Sequence, residues 1–295
     1  MKDLISLKYP EHDPSIDVLD HGFVRLVDCM PSRIPDAEET ADHAIAEAAR
    51  CCYKRGTKSI RDDKMLIRYL MRHNHTSPLE MIELKFHVKL PIFVARQWIR
   101  HRTANVNEMS GRYSEMPEEF YIPEVNNLRT QSKINTQGSD GTIDAEKAQI
   151  IIDQFTAECE GDFKLYREFL DNDVVREQAR MVIPLNTYTE WYWKIDLHNL
   201  MHFLDLRCDS HAQQEIRVYA DAILELIKPL VPWTIEAWQD YSAYRNGLIL
   251  TGFEVAQLRR IISEKQLPAG KIDVDNQLEQ MEWKNKAKKL GFLAD

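Results

Sequence analysis

At 295 residues with 44% hydrophobic content, the chain can bury a sizeable core without help from disulfides or metal. Its net charge of −9 argues against general nucleic-acid binding and makes any local cluster of cations informative. No run of apolar residues is long enough to span a membrane, and the opening MKDLISLKYPEHD has no apolar stretch of the kind a secretory leader needs.

In chain order, residues 23–30 (FVRLVDCM) predict a strand. Residues 37–53 predict a helix, with alanines and Ile45 at helical spacing and acids in the first turn, and residues 64–73 predict a second. In residues 83–90, Leu84, Phe86, Val88 and Leu90 alternate with Glu83, Lys85, His87 and Lys89. That period of two marks a half-buried strand with one wet face. Pro91 suits the first turn of a helix, which residues 92–102 (IFVARQWIRHR) continue. Residues 121–145 are soft, and INTQGSDGT, from Ile134 to Thr142, reads as a flexible surface insertion. A helix is expected over 145–170. Pro184 and Asn186 break the chain before an aromatic and β-branched strand over 187–195 (TYTEWYWKI). Helices follow over 197–207 and 211–227. Beyond about Trp238 the chain grows polar, and KNKAKK, residues 284–289, reads as a solvated terminal segment. The expected class is α/β or α+β, with an antiparallel or mixed central sheet flanked by helices.

The five cysteines, Cys29, Cys51, Cys52, Cys159 and Cys208, include no C-x-x-C pair. An odd count without a framework fits a reducing compartment, so a cytoplasmic location is expected.

Between Arg96 and Arg112 the acidic background reverses. Four arginines (Arg96, Arg100, Arg102, Arg112) and His101 stand against one acid, Glu108. Arginine suits phosphate because its planar fork binds two oxygens at once. The stretch TANVNEMSG offers Asn105, Asn107, Glu108 and Ser110 as a ligand-reading loop, and Gly111 lets backbone approach a ligand closely. Charge and spacing alone leave two readings open, an anion-binding loop or a solvated helix face followed by a polar loop.

RHRTANVNEMSGRYS, Arg100 to Ser114, resembles the signature of the flavin-dependent thymidylate synthases: R-H-R, seven residues, then serine. HTSPLE, His75 to Glu80, resembles that family's H-T-S-P-x-E element. Gln97 stands three residues before Arg100, as in the family. Arg180, in EQARMVIP, and Arg207, in LMHFLDLRCDSHAQQEIR, match two further family arginines. These elements run in order from about residue 18 to 230. The stretch from about 240 to 295 lies outside the resemblance, although the whole chain, 1–295, is read as a single catalytic domain. The sequence departs from the pattern in two ways. Asn105 stands where the stricter motif has serine, and Asp196, His198 and His202 stand where relatives carry other polar residues.

The resemblance implies conversion of dUMP to dTMP, with methylenetetrahydrofolate as carbon donor, FAD as hydride source and NADPH as its reductant. It implies Arg207 as the catalytic residue that polarises the pyrimidine. It places dUMP on Gln97, Arg100, Glu108, Met109, Ser110, Gly111, Arg112, Arg180 and Arg207. It places FAD on Ser77, Arg100, His101, Arg102, Glu108, Asp196, His198 and His202. Ser110 is read as a substrate contact rather than a nucleophile, which would need a base such as His101 within reach. The resemblance also implies a homotetramer with sites shared between subunits, and so a subunit interface at the aromatic strand.

Two other readings follow from residues alone. His198 and His202 are four apart on one helix and are followed by Asp205, Asp209 and His211, a spacing that suits metal. No H-E-x-x-H accompanies them, and no metal is expected. Arg100, Arg102 and Arg112 with Trp98 and Tyr113 would suit single-stranded nucleic acid, a partner that the net acidity opposes.

Overall fold

In the computed structural model, the described residues are 14–31, 40–51, 60–133, 138–243, 245, 250–265, 277–290 and 292. The opening thirteen residues, the ends of the predicted helix over 37–53, Cys52 and the middle of the INTQGSDGT tract lie outside them. Two compact units are present, Met1–Asn246 and Gly247–Asp295.

The first unit is organised by five antiparallel strands in the order β1-β2-β3-β7-β4. These are β1 (Ser15–Val18), β2 (Gly22–Met30), β3 (Glu83–Pro91), β4 (Asn105–Glu108) and β7 (Tyr188–Asp196). The period-two pattern places Leu84, Phe86 and Val88 opposite Ile195, Trp193 and Trp191, all on the buried face. The other face carries a half-exposed ladder, with Arg25 bonded to His87 at 3.0 Å and His87 to Glu190 at 2.9 Å. Close packing fixes β2 at its first residue: a side chain on Gly22 would meet the Tyr219 hydroxyl at 2.1 Å and two backbone oxygens below 3.0 Å.

The helices of this unit are α1 (Asp42–Cys51), α2 (Ile60–Arg72), α3 (Ile92–Trp98), α4 (Ala145–Asp171), α5 (Arg176–Ala179), α6 (Leu197–Arg207), α7 (Gln214–Ile227) and α8 (Pro232–Tyr241). One core runs from the sheet through α3, α6, α7 and α8. Trp98 lies at its centre, edge-on to Trp191 and Trp193 at ring separations of 5.5 and 5.1 Å and tilted against Phe203 at 4.8 Å. Each such buried aromatic contributes roughly 1.5–3 kcal/mol. Buried polar groups lock the periphery. Asp42 accepts from the backbone of Trp233 and Thr234 and so closes the N-terminus of α8, while Asp63 is held by Arg50 and His43. A second, smaller core joins Phe163 and Tyr166 of α4 to Ala179 of α5.

Three sequence expectations change. Helix α3 stops at Trp98 rather than at Arg102. Residues 105–108 form an edge strand rather than a loop. The 121–145 insertion contains a two-stranded hairpin, β5 (Arg129–Gln131) with β6 (Ser139–Thr142). Trp191 and Trp193 of the aromatic strand face their own core and Tyr188 is buried, while Tyr192, 42% exposed, lies on the strand's other face with Glu190 and Lys194.

The second unit contains α9 (Gly252–Lys265) and α10 (Gln277–Leu290), so the lysine-rich tail is helical, with Lys284, Lys286 and Lys288 exposed. No helix among the described residues is long and apolar enough to cross a membrane.

Candidate active site

The R-H-R tract begins where α3 ends, and the core determines that ending. Trp98 is fully buried, so the chain leaves the helix immediately above it. The last turn tightens, with Arg100 N donating to Gln97 O and His101 N to Trp98 O. Beyond Ala104 the backbone finds partners on β7 instead: Asn105 opposes Lys194, Glu108 opposes Trp191, and Met109 N donates to Glu190 O at 2.8 Å. All four β4 side chains are exposed. The signature is therefore stretched along the sheet edge, and the strand alone separates its two ends by roughly 10 Å.

At one end, the tract lies along α6. Arg207, the last residue of α6, donates from Nε to His101 Nε2 at 3.0 Å. The His101 ring also meets Phe203 edge-on at 5.0 Å. Burial, then the nearby charge of Arg207, then His202, hold the His101 pKa down to about 4, so the ring is neutral. Burial likewise lowers the Arg207 pKa from its usual value. Two residues further on, Thr103 donates to Asn199 Oδ1 at 2.8 Å, and Asn199 donates to Asp196 from both its backbone and its amide. Asp196 is thus the N-cap of α6, with both carboxylate oxygens engaged by Asn199.

His198 and His202 project from the same helix with their rings edge-on at 4.7 Å. Burial, then His202, lower the His198 pKa. With His75, Thr76 and Asp205 they line a cavity of about 120 Å³. Ser77 is exposed beside it. Asp205 accepts from Trp238 Nε1 and Ser242 Oγ, at 2.7 and 2.6 Å. No group of three or more His, Cys, Asp or Glu suited to a metal ion occurs among the described residues.

At the other end of β4, Glu108 accepts from Thr189 Oγ1 at 2.8 Å. Ser110 Oγ accepts from Arg112 N at 3.3 Å, so Ser110 and His101 each have other partners. Gly111 is buried, and a side chain there would meet Met116 Sδ at 2.9 Å and Arg180 Cδ at 3.2 Å. Met116 and the Arg180 stem thus occupy the space that a side chain would need, which sets Arg180 beside the motif. Arg112 pairs with Glu177 at 3.3 Å. Tyr113, Met181 and Leu185 stand 66–78% exposed around this group.

The cations are the main electrostatic feature. Arg68, Arg167 and Arg176 all have carboxylate partners. Among the described residues, Arg100, Arg102, Arg180 and Arg207 have no carboxylate within salt-bridge distance. In an acidic chain, such unpaired guanidinium groups are available to an anionic ligand. Gln97 Oε1 is buried next to them without a hydrogen-bond partner, a deficit that a ligand donor would satisfy. Cations at two places and one unsatisfied acceptor offer binding groups for anionic ligands. None of the buried thiols offers a nucleophile, because burial raises Cys29 and Cys208 to about 12 and also raises Cys159.

The structure thus joins His101 to Arg207, sets His202 close by, and joins Gly111 to Arg180. It keeps these two groups at opposite ends of β4. Thr103, Asn199, Thr189 and Glu177 were not singled out from sequence. The D-x-x-N pattern from Asp196 to Asn199 is a helix-start signal that points to one of them.

Residues 33–233 match a family model described as thymidylate synthase complementing protein. The chain is 51% identical over 248 residues to the flavin-dependent thymidylate synthase of Dictyostelium discoideum, covering 84% of this chain and 80% of that one. It is 49% identical over 262 residues to the same enzyme of Wolbachia pipientis wMel, covering 89% and 87%. A solved structure of the UMP/dUMP methylase PolB from Streptomyces cacaoi, bound with 5-Br dUMP, superposes with a TM-score of 0.67. That match has 32% identity and covers 77% of this chain and 98% of the other. Motif order, unpaired arginines and these similarities agree, and the chain belongs to the flavin-dependent thymidylate synthase family.

Proposed function

We propose that the protein methylates dUMP to dTMP, taking the carbon from methylenetetrahydrofolate and using FAD and NADPH as the source of the hydride. The observation that carries this reading is the set of four arginines, Arg100, Arg102, Arg180 and Arg207, left without carboxylate partners around the motif. When bound, FAD supplies the hydride that turns the transferred carbon into a methyl group. Arg100, His101 and Arg102 hold the cofactor together with Ser77, Glu108, His198, His202 and the α6 cap at Asp196. Arg112 and Arg180 hold the nucleotide phosphate, helped by Arg100 and the backbone of Met109, Ser110 and Gly111. Gln97 and Glu108 orient the pyrimidine. Arg207 stabilises the negative charge that develops on the ring carbonyls as C5 becomes nucleophilic, and it does so from a fixed position. The decisive experiment supplies dUMP, methylenetetrahydrofolate and NADPH. dTMP is expected only when FAD is present, and FAD-independent formation would refute the reading.

The assembly is a homotetramer with shared sites. Two observations support this: the extended motif, whose ends lie at opposite ends of β4, and the exposed Tyr113, Met181 and Leu185 beside the phosphate arginines. At dUMP concentrations too low to fill the Arg180→Ala site, mixing Arg207→Ala with Arg180→Ala subunits is expected to give more activity than either variant alone. Failure to complement in stable mixed tetramers, or an active monomer in sedimentation, would refute it. The proposed machinery lies wholly within the first unit. The free cysteines support a cytoplasmic location.

A further inference from the structure

Arginines held for catalysis usually lean on a carboxylate, and a carboxylate cancels much of the field that the arginine is there to supply. Arg207 is held differently. Its Nε donates to an imidazole, at 3.0 Å, and among the described residues no carboxylate is within salt-bridge distance. The imidazole is itself fixed. Phe203 meets it edge-on, and Phe203 is fully buried against Trp98 and Trp193. Because Nε2 accepts this bond, the proton of the neutral ring belongs on Nδ1. The bond uses the Nε–H of the guanidinium, so both Nη groups remain for a ligand.

We propose that His101 is a positioning residue for Arg207: it anchors the guanidinium through a neutral acceptor and leaves its charge undiminished for the pyrimidine carbonyl edge. The role rests on the function proposed above and adds to the FAD contact given to His101 there. An acceptor at this place fixes direction. A carboxylate would fix direction too, but at the cost of field strength.

The test uses FAD-loaded protein and measures dUMP dissociation by calorimetry in a double-mutant cycle. His101→Phe keeps a ring against Phe203 but removes the acceptor. It is expected to weaken dUMP binding about 10- to 100-fold, the usual worth of a hydrogen bond to a charged group. His101→Asn, which retains a neutral acceptor, is expected to recover part of that loss. In the Arg207→Ala background, His101→Phe is expected to have no further effect. Equal losses in both backgrounds would overturn the proposal, because His101 would then act independently of Arg207. A ligand-free readout needs no activity. Nitrogen-15 spectra of histidine-labelled protein are expected to show His101 protonated at Nδ1 and bare at Nε2, and Arg207→Ala is expected to change that signal. An unchanged signal would also overturn it. Wild-type protein that binds no dUMP marks failure of the functional reading, whereas normal dUMP binding by His101→Phe marks failure of this inference alone.

Discussion

The two ends of β4 each present arginine, but in opposite ways. Arg207 is half-buried, bonded to a neutral ring and backed by an aromatic core. Arg112 is 55% exposed and paired with a carboxylate, Glu177, that is itself 53% exposed. A half-buried cation with a neutral partner keeps a strong, fixed field in a poorly screened place, as developing charge on a ring requires. An exposed cation with a surface partner is screened and mobile, and such pairs contribute little. That setting suits exchange of one anion for another. In the function proposed above, one end acts on charge that appears during reaction, and the other captures charge already on the substrate.

The sharpest way to break the comparison is Arg207→Ala. It is expected to lower tritium release from C5-labelled dUMP about 100- to 1000-fold, while flavin absorbance shows that the cofactor stays bound. Near-normal release would remove Arg207 from catalysis. Next in size, Arg180→Ala is expected to weaken dUMP binding about 10- to 100-fold and to leave deoxyuridine binding unchanged. An equal loss for both ligands would show that Arg180 reads more than phosphate.

A smaller effect concerns pH. The His101 pKa lies near 4 in the fold, below the ordinary 6.5. The unfolded chain therefore binds the proton first as pH falls. This group's contribution to stability is complete above about 6.5 and is lost as pH drops toward 4. His101→Asn is expected to lose less stability than wild type over that window in urea unfolding at successive pH values. Parallel losses would show that His101 is as readily protonated in the fold as outside it. Smallest of all, Glu177→Gln is expected to tighten dUMP binding by less than about fivefold, the limit for an exposed pair. A larger gain would mean that Glu177 competes with the phosphate far more strongly than its exposure suggests.

Much of the fold was legible where one periodicity operated alone. Residues 83–90 alternate cleanly and form β3, and α4 and α6 follow their patterns closely. Sequence reasoning failed where tertiary partners decided. Ile99, Arg100 and His101 suit a helix, but buried Trp98 anchors the chain above the core and β7 has an open edge, so the backbone turns to pair there. Asn105–Glu108 lacks apolar alternation because both faces of this edge strand meet solvent. The four-residue β1 is too short to show a period. At the site, the arginines were visible as charge against an acidic background and gained roles from the family resemblance. The His101–Arg207 bond joins residues 106 positions apart, and no local pattern announces it. Likewise, nothing in the local sequence shows that Met116 and the Arg180 stem close in on Gly111.

The aromatic cluster beneath the motif has an optical consequence. Trp98 lies two residues before Arg100 and touches Trp191 and Trp193 in a dry interior. Indoles in such a setting emit at short wavelength, and their emission overlaps the absorption of an isoalloxazine ring. A flavin arriving over Arg100 and His101 is therefore expected to dim this glow by energy transfer. The protein would then report its own cofactor occupancy through intrinsic fluorescence, with no substrate, label or turnover.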